Sequence, residues 1–346
     1  MGVLLYNLTL AVIGAATVYV QRHRLPLRGL FGYLMAVVGL ASVFAYLFYR
    51  RPTEPLDPMF AAMRMMAYGL FLHLPVLLGA WGWLDREKRP RQAVAMAAVA
   101  VAIVAVAIDA FFIEPTALEV NEVTVAVPGL EAPLTVAVLA DIQTERPGAY
   151  ERGAMELALA AKPDLIVMPG DYVHAFTEAE YAEGMVAFRE LVKQVGLRAP
   201  LGVYAVAGNV DIVGKWVEMF EGTGVETATV TRTFHPRPDV AITALTLVDS
   251  FDTQLKVPAQ DGLHIVVGHG PDFALGEVHA DLLVAGHTHG GQLWPFSAMV
   301  KLAQPYVAGL YQHDPATQIY VSRGTGYWGP PMRLMAPAEI TRIVLT

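Results

Sequence analysis

The sequence predicts an α/β domain carried behind four membrane-spanning helices. Two observations predict it. The first third of the chain holds four long apolar runs almost free of charge, and the rest alternates short β-rich apolar runs with helical stretches. A third observation bears on function: five of the β-rich runs end in an acid, an amide or a histidine.

The membrane part comes first. Of 346 residues, 55% are hydrophobic and only 16% charged, and the mean hydropathy of +0.43 is too high for an ordinary soluble chain of this size. Residues 2–20, 30–49 and 65–84 contain no Asp, Glu, Lys or Arg, and 93–113 contains only Asp109. Each run is about 20 residues long, enough to cross the hydrocarbon layer as a helix. A signal peptide would explain the first run alone, but no basic residue precedes it and three more runs follow. A membrane domain is expected over 1–113 and a soluble domain over 114–346.

Basic residues in the short loops set the orientation. Arg22, Arg24 and Arg28 follow the first run, and Arg86, Lys88, Arg89 and Arg91 follow the third. The loop between the second and third runs carries Arg50, Arg51 and Arg64. The excess on loops one and three places them in the cytoplasm, with both termini and the soluble domain on the extracytoplasmic side of the plasma (inner) membrane. Within the spans, His73 is the ionisable group that suggests a functional or inter-helix role, whereas Asp109 lies close to the acidic exit at Glu114.

From Glu114 onward, 27 acidic residues face 14 basic ones, a formal −13, against +5 for the residues before it. Such a domain has no basic surface for nucleic acid. There is no cysteine, so any metal must be held by oxygen and imidazole.

The periodicity predicts helices over 150–161, 178–195 and 212–221. The strand ends carry the chemistry. LTVAVLA runs into Asp141, with Gln143 two positions on; DLIVMPG runs into Asp171; GVYAVAG into Asn209; LHIVVG into His269; DLLVAG into His287 and then His289. In four of the five, a glycine immediately precedes the polar residue. Glycine permits a sharp turn and leaves room beside the backbone. Sites in open α/β sheets lie outside the carboxyl ends of strands, where these residues gather. One Gly-Asp at a strand end is usually a turn, and one histidine is usually a surface residue. Five such ends in one domain, with GHTHGGQ among them, point instead to a divalent cation such as Mn²⁺, Fe²⁺ or Zn²⁺. Two ions bridged by one carboxylate would suit phosphoester chemistry without a protein nucleophile.

The series D-x-Q, GD, GNV-D, GH and GHTHGGQ resembles the calcineurin-like metallophosphoesterase family, over roughly residue 123 to the C-terminus. GHTHGGQLWPF and YVSRGTGYWGPPMRLMAPAEIT look like endings of its bacterial membrane-associated branch. The resemblance implies a four-layer αββα sandwich with metals at one edge. It implies one metal on Asp141, Gln143, Asp171 and His289, and a second on Asp171, Asn209, His269 and His287. Asp171 would bridge them, and a hydroxide shared by the two would attack phosphorus.

The sequence departs from that pattern twice. Gln143 stands where the family has a histidine. An amide oxygen favours harder ions, so Mn²⁺ or Mg²⁺ is expected over Zn²⁺ at the first site. Val210 stands where a histidine would contact phosphate and assist the leaving group. A pyrophosphate-type leaving group would need little help; His174, in GDYVH, is the nearest substitute by sequence; or turnover is poor. Arg323 and Trp328 are candidates for the mouth of the site, the arginine gripping a phosphate oxygen.

The expectation is therefore a membrane-anchored, two-metal phosphoesterase acting on a phosphodiester or pyrophosphate, of a lipid, a lipid-linked head group or a small molecule. The alternatives are a membrane-anchored metal-binding or regulatory module with little turnover, and a phosphoalcohol transferase.

Overall fold

A computed structural model describes residues 2–21, 26–49, 58–175, 177–211 and 215–346. The chain divides into two compact units: Met1–Ile113 with Trp328–Met332, and Glu114–Tyr327 with Arg333–Thr346. Helices and strands are numbered in chain order.

Four helices of the described residues are long and apolar enough to cross a membrane: Gly2–Val20, Arg28–Tyr49, Pro58–Asp85 and Pro90–Thr116. They are built on α1 (Gly2–Gln21), α2 (Pro26–Tyr49), α3 (Pro58–Tyr68), α4 (Leu74–Asp85) and α5 (Pro90–Ile108). α3 and α4 form one span, joined by the π-turn Gly69–His73. Pro75 has no N–H to return to the preceding turn, so the helical register slips there. Tyr33 Oη donates to the Gly69 carbonyl at 3.3 Å. Tyr6, Leu10, Tyr33, Val37, Met65 and Trp81 fill the middle of this unit. His73 Nε2 lies 2.8 Å from Asn7 Oδ1 and so joins the third span to the first.

The third span begins at Pro58, not at 65 as the apolar run suggested, and takes in Arg64. Proline at the first helical position and the helix formers of PMFAAMR extend it backwards. Arg64, counted in a loop by its charge, is buried in α3 and donates from Nε and Nη2 to the Gly329 carbonyl at 2.9 and 2.7 Å. Arg22, Arg24, Arg50 and Arg51 lie outside the described residues.

The other unit contains two six-stranded sheets. The first has the order β1-β14-β2-β3-β4-β5, from β1 (Glu119–Val125), β2 (Leu134–Val138), β3 (Leu165–Met168), β4 (Val203–Ala205), β5 (Glu226–Thr227) and β14 (Glu339–Leu345). The second has the order β12-β13-β11-β9-β7-β6, from β6 (Arg232–Arg237), β7 (Val240–Ala244), β9 (Leu263–Val267), β11 (Leu282–Ala285), β12 (Gly309–Gln312) and β13 (Gln318–Val321). β8 (Lys256–Val257) and β10 (Glu277–Val278) pair separately. β2, β3 and β4 are parallel neighbours, as are β7, β9 and β11. Their near-continuous Val, Ile and Leu runs suit strands covered on both faces.

Among the described residues, four α-helices complete the unit: α6 (Ala149–Ala160), α7 (Glu178–Val195), α8 (Leu247–Ser250) and α9 (Phe296–Ala303). Ala137, Ile166 and Met168 of the first sheet pack against Met155, Phe188 and Leu191 of α6 and α7. Between the sheets, Val136, Val138 and Val167 meet Ile242, Ile265 and Val284. Outside the second sheet, Val266, Leu283 and Val321 are covered by Phe273 and Ala274 of a 3₁₀ turn. This is the expected αββα order, with short helical elements as its fourth layer.

α6 and α7 stand within a residue of the first two predicted helices. The Glu151 carboxylate caps α6 by accepting the Gly148 N–H at 2.7 Å, and Thr177 Oγ1 caps α7 by accepting that of Glu180 at 3.2 Å. The third prediction, 212–221, gives only a 3₁₀ turn at Trp216–Phe220, with 212–214 outside the described residues. Gly222 and Gly224, both at positive φ, turn the chain towards β5 before a longer helix can form.

Candidate metal centre

Five strand ends meet at one edge of the sandwich. β2, β3 and β4 deliver Asp141 with Gln143, Asp171 and Asn209; β9 and β11 deliver His269, and His287 with His289. Asp141, Gln143, Asp171, His287 and His289 all have positive φ, between 30° and 70°. Non-glycine residues rarely adopt this conformation, and where several do so together the backbone is holding side chains in imposed directions.

The preceding glycines are required by close approach. A Cβ on Gly208 would stand 2.1 Å from Asp171 Oδ1, and one on Gly286 would stand 2.6 Å from Asp141 Oδ2. No larger residue fits while the loops cross at these distances.

Ligand atoms of Asp141, Asp171 and His289 lie within 4.8 Å of one another. Asp171 Oδ2 is also 3.6 Å from His269 Nε2, which connects this trio to a second group. In that group Asn209 Oδ1 is 2.8 Å from His269 Nε2 and 3.0 Å from His287 Nδ1, and the two ring nitrogens are 3.2 Å apart. His269 Nδ1 faces the Pro169 carbonyl at 2.7 Å, leaving Nε2 for the cluster. The Asp141 carboxylate accepts the His287 N–H at 2.9 and 3.0 Å.

The donors fit a divalent cation. Gln143 is 1% exposed, and its Oε1 accepts no hydrogen bond among the described residues, which leaves a buried acceptor facing no proton. Burial, followed by the Asp171 charge, pushes Asp141 well above the ordinary carboxylate range. Burial raises Asp171 to about 7, against the opposing N–H groups of Val210 and Asn209. Burial lowers His269 to about 4, lowers His287 to about 3 with help from His269, and lowers His289 well below its usual value. The three imidazoles are thus neutral at pH 7, the form that binds metal, while two crowded carboxylates need positive charge between them.

The other predicted residues are placed differently. His174 is buried, and its N–H donates to the Thr144 carbonyl at 2.9 Å, next along the chain from Gln143. Val210 contributes through its backbone, donating to Asp171 Oδ1 at 3.0 Å. The stem of Arg323 lies beside Gly290, but its guanidinium is held by Glu339 at 2.7 and 2.8 Å and by Glu119 at 3.3 Å. Trp328 belongs to the helical unit, with its ring 5.6 Å from that of Phe60.

Two residues given no role by sequence reasoning hold the loops. Asp211 accepts the N–H groups of Asp171 and Gly208 at 2.8 Å and of Tyr172 at 3.1 Å. Its signal was only the final Asp of GNVD. Arg333 is fully buried and donates to the carbonyls of Gly326, Ala336, Arg323 and Gly324 at 2.5–3.1 Å. The loop it gathers returns the Gly326 N–H to the Asp141 carbonyl at 2.7 Å. Burial lowers Arg333 to about 10, so it stays charged at pH 7. A lone arginine in PMRLMAP gave no hint of this.

The family profile described as calcineurin-like phosphoesterase matches residues 134–291. A Helicobacter pylori "Uncharacterized metallophosphoesterase" is 50% identical over 97 residues, 27% of this chain and 26% of that protein. The Danio rerio "Transmembrane protein with metallophosphoesterase domain" is 30% identical over 208 residues, 53% of this chain and 46% of that protein. The chain thus spans about a quarter of the first relative and under half of the second. The Escherichia coli "Phosphodiesterase YaeI" is 30% identical over 234 residues, 62% of this chain and 83% of that protein. The likeness across most of that relative, together with the profile match, shows that the chain belongs to the calcineurin-like phosphoesterase family.

Proposed function

We propose that this chain is a membrane-anchored phosphoesterase that uses two divalent ions to hydrolyse a phosphodiester or pyrophosphate, on a lipid or lipid-linked head group. The observation that carries the reading is the grouping of Asp141, Asp171 and His289 ligand atoms within 4.8 Å, extended from Asp171 to His269, Asn209 and His287, together with a buried Gln143 Oε1 that accepts no hydrogen bond among the described residues. Asp141, Gln143, Asp171 and His289 would hold one ion, and Asp171, Asn209, His269 and His287 the other. Amide oxygen at Gln143 favours Mn²⁺ over Zn²⁺ at the first position. Bound divalent ions supply Lewis acidity towards a phosphoryl oxygen and lower the pKa of water.

The chain's own groups fix the geometry. Asp211 and Arg333 hold the loops, the His287 N–H orients Asp141, and burial keeps the imidazoles unprotonated. Val210 offers no proton, so the reading favours a good leaving group such as a phosphate, with His174 as the candidate donor otherwise. The four spans and the loop charges support a lipid substrate and an extracytoplasmic site.

Val210 also favours a second reading, a membrane-anchored binding module that has lost turnover. Full-length protein with Mn²⁺ is predicted to hydrolyse bis(p-nitrophenyl) phosphate, and folded Asp171→Asn to lose that activity. Equal rates in the two proteins would sink the enzymatic reading, and capture of the product by an added alcohol would reveal a transferase.

A further inference from the structure

α9 follows the turn that carries His289 and turns apolar side chains to the outside. Trp294 is 57% exposed, Met299 63% and Leu302 90%. Met335, at 72%, adjoins them, because Leu293 bridges Leu334 and the Trp294 N–H donates to the Leu334 carbonyl at 3.0 Å. The helix, FSAMVKLA, has no acidic residue and one lysine, in a domain whose formal charge is −13. Tryptophan, long apolar side chains and a lysine are the composition of a helix lying in the interface of a bilayer. A charged soluble surface rarely leaves such residues bare without a partner.

The same chain supplies the partner. It carries four helices long and apolar enough to cross a membrane. α9 is also tied closely to the donor cluster. A Cβ on Gly291 would stand 2.5 Å from Ser297 Cα, so the His289 turn and the start of α9 are in direct contact.

We infer that α9, with Trp294 and Met335, seats in the head-group layer of the bilayer that holds the four spans, and so presents the His289 turn to phosphates of lipid head groups. The consequence for substrate rests on the phosphoesterase reading, whereas the seating does not require turnover.

The absence of native cysteine makes the test direct. Leu302→Cys changes a side chain that is nine-tenths exposed, so the fold is left undisturbed. The full-length variant is labelled with an environment-sensitive fluorophore and placed in phosphatidylcholine–phosphatidylglycerol vesicles. Trp83→Cys, near the end of α4, is labelled as a benchmark. The expected result is a blue-shifted Leu302→Cys emission, with most of its intensity lost when the vesicles contain lipid bearing a nitroxide near the head group. A probe that emits as in water and is quenched by iodide, while the benchmark is quenched by nitroxide, overturns the seating. Nitroxide quenching in a protein without turnover would leave the seating standing and remove the phosphoesterase reading instead.

Discussion

Asp211→Ala isolates a residue that holds the centre without belonging to the donor set. Its two carboxylate oxygens accept three backbone N–H groups, from Asp171, Tyr172 and Gly208. Asp211 is 3% exposed, so water does not replace the lost oxygens without a change in the loops. Leaving a buried N–H unpaired costs about 1–3 kcal/mol. Three of them give a gross loss of roughly 3–9 kcal/mol. Relief of the burial cost and of the repulsion with Asp171, which together raise Asp211 to about 8, offsets part of that loss. A net loss of about 2–4 kcal/mol lowers the melting temperature of a domain this size by roughly 4–16 °C. Asp211→Asn keeps one acceptor oxygen, enough for the two bonds now made by Oδ2, and is expected to cost about half as much. The assay is thermal unfolding of the metal-free full-length protein in detergent, followed by Mn²⁺ titration, where Asp171, without its backbone anchor, binds more weakly. An Asp211→Ala variant that melts with the wild type and binds Mn²⁺ equally well refutes the reasoning, because three buried N–H groups would then have cost nothing.

Gln143→His, measured by competition between Zn²⁺ and Mn²⁺, is expected to shift preference towards Zn²⁺ while the fold persists; unchanged preference would make Gln143 only a neighbour of the site. Mn²⁺ affinity is expected to rise with pH up to at least about 7, because Asp141 is raised well above the ordinary carboxylate range and Asp171 keeps a proton in the metal-free protein up to about 7, and both must release a proton to bind. The raised Asp171 carboxylate makes metal-free stability fall as pH rises from the unfolded value near 4 through the folded value of about 7, since over that window the folded state holds the extra proton. The histidines contribute the opposite slope below about 6.5, since the unfolded chain binds their protons first. Melting temperatures with and without Mn²⁺ across this range check both signs, and an increment from Mn²⁺ that is flat with pH contradicts them.

The sandwich was legible because its central strands are apolar runs with abrupt polar ends. LIVM stops at PGD and LLVA at GHTH, and those stops are the turns from which Asp171, His287 and His289 project. Less legible was whatever depends on closure between distant segments. Asp211 and Arg333 act on backbone groups that only the finished fold brings to them, and nothing in a run of neighbours signals three N–H groups meeting one carboxylate. The start of the third span was misread for a related reason. Arg64 looks like a loop charge in sequence, but the Gly329 carbonyl, 265 residues away, lets the helix bury it. Glycine before a polar residue was read as a sharp turn with room for a ligand beside the backbone, whereas the atoms that crowd Gly208 belong to Asp171 on another strand end.

The central claim is that this edge is a two-ion centre bridged by Asp171. Metal analysis of the full-length protein, loaded with Mn²⁺ and freed of unbound ions, tests it most directly. The account predicts two equivalents of Mn²⁺ per chain in the wild type and the loss of both from folded Asp171→Asn. One equivalent or none in the wild type, or an Asp171→Asn variant that retains two, contradicts it.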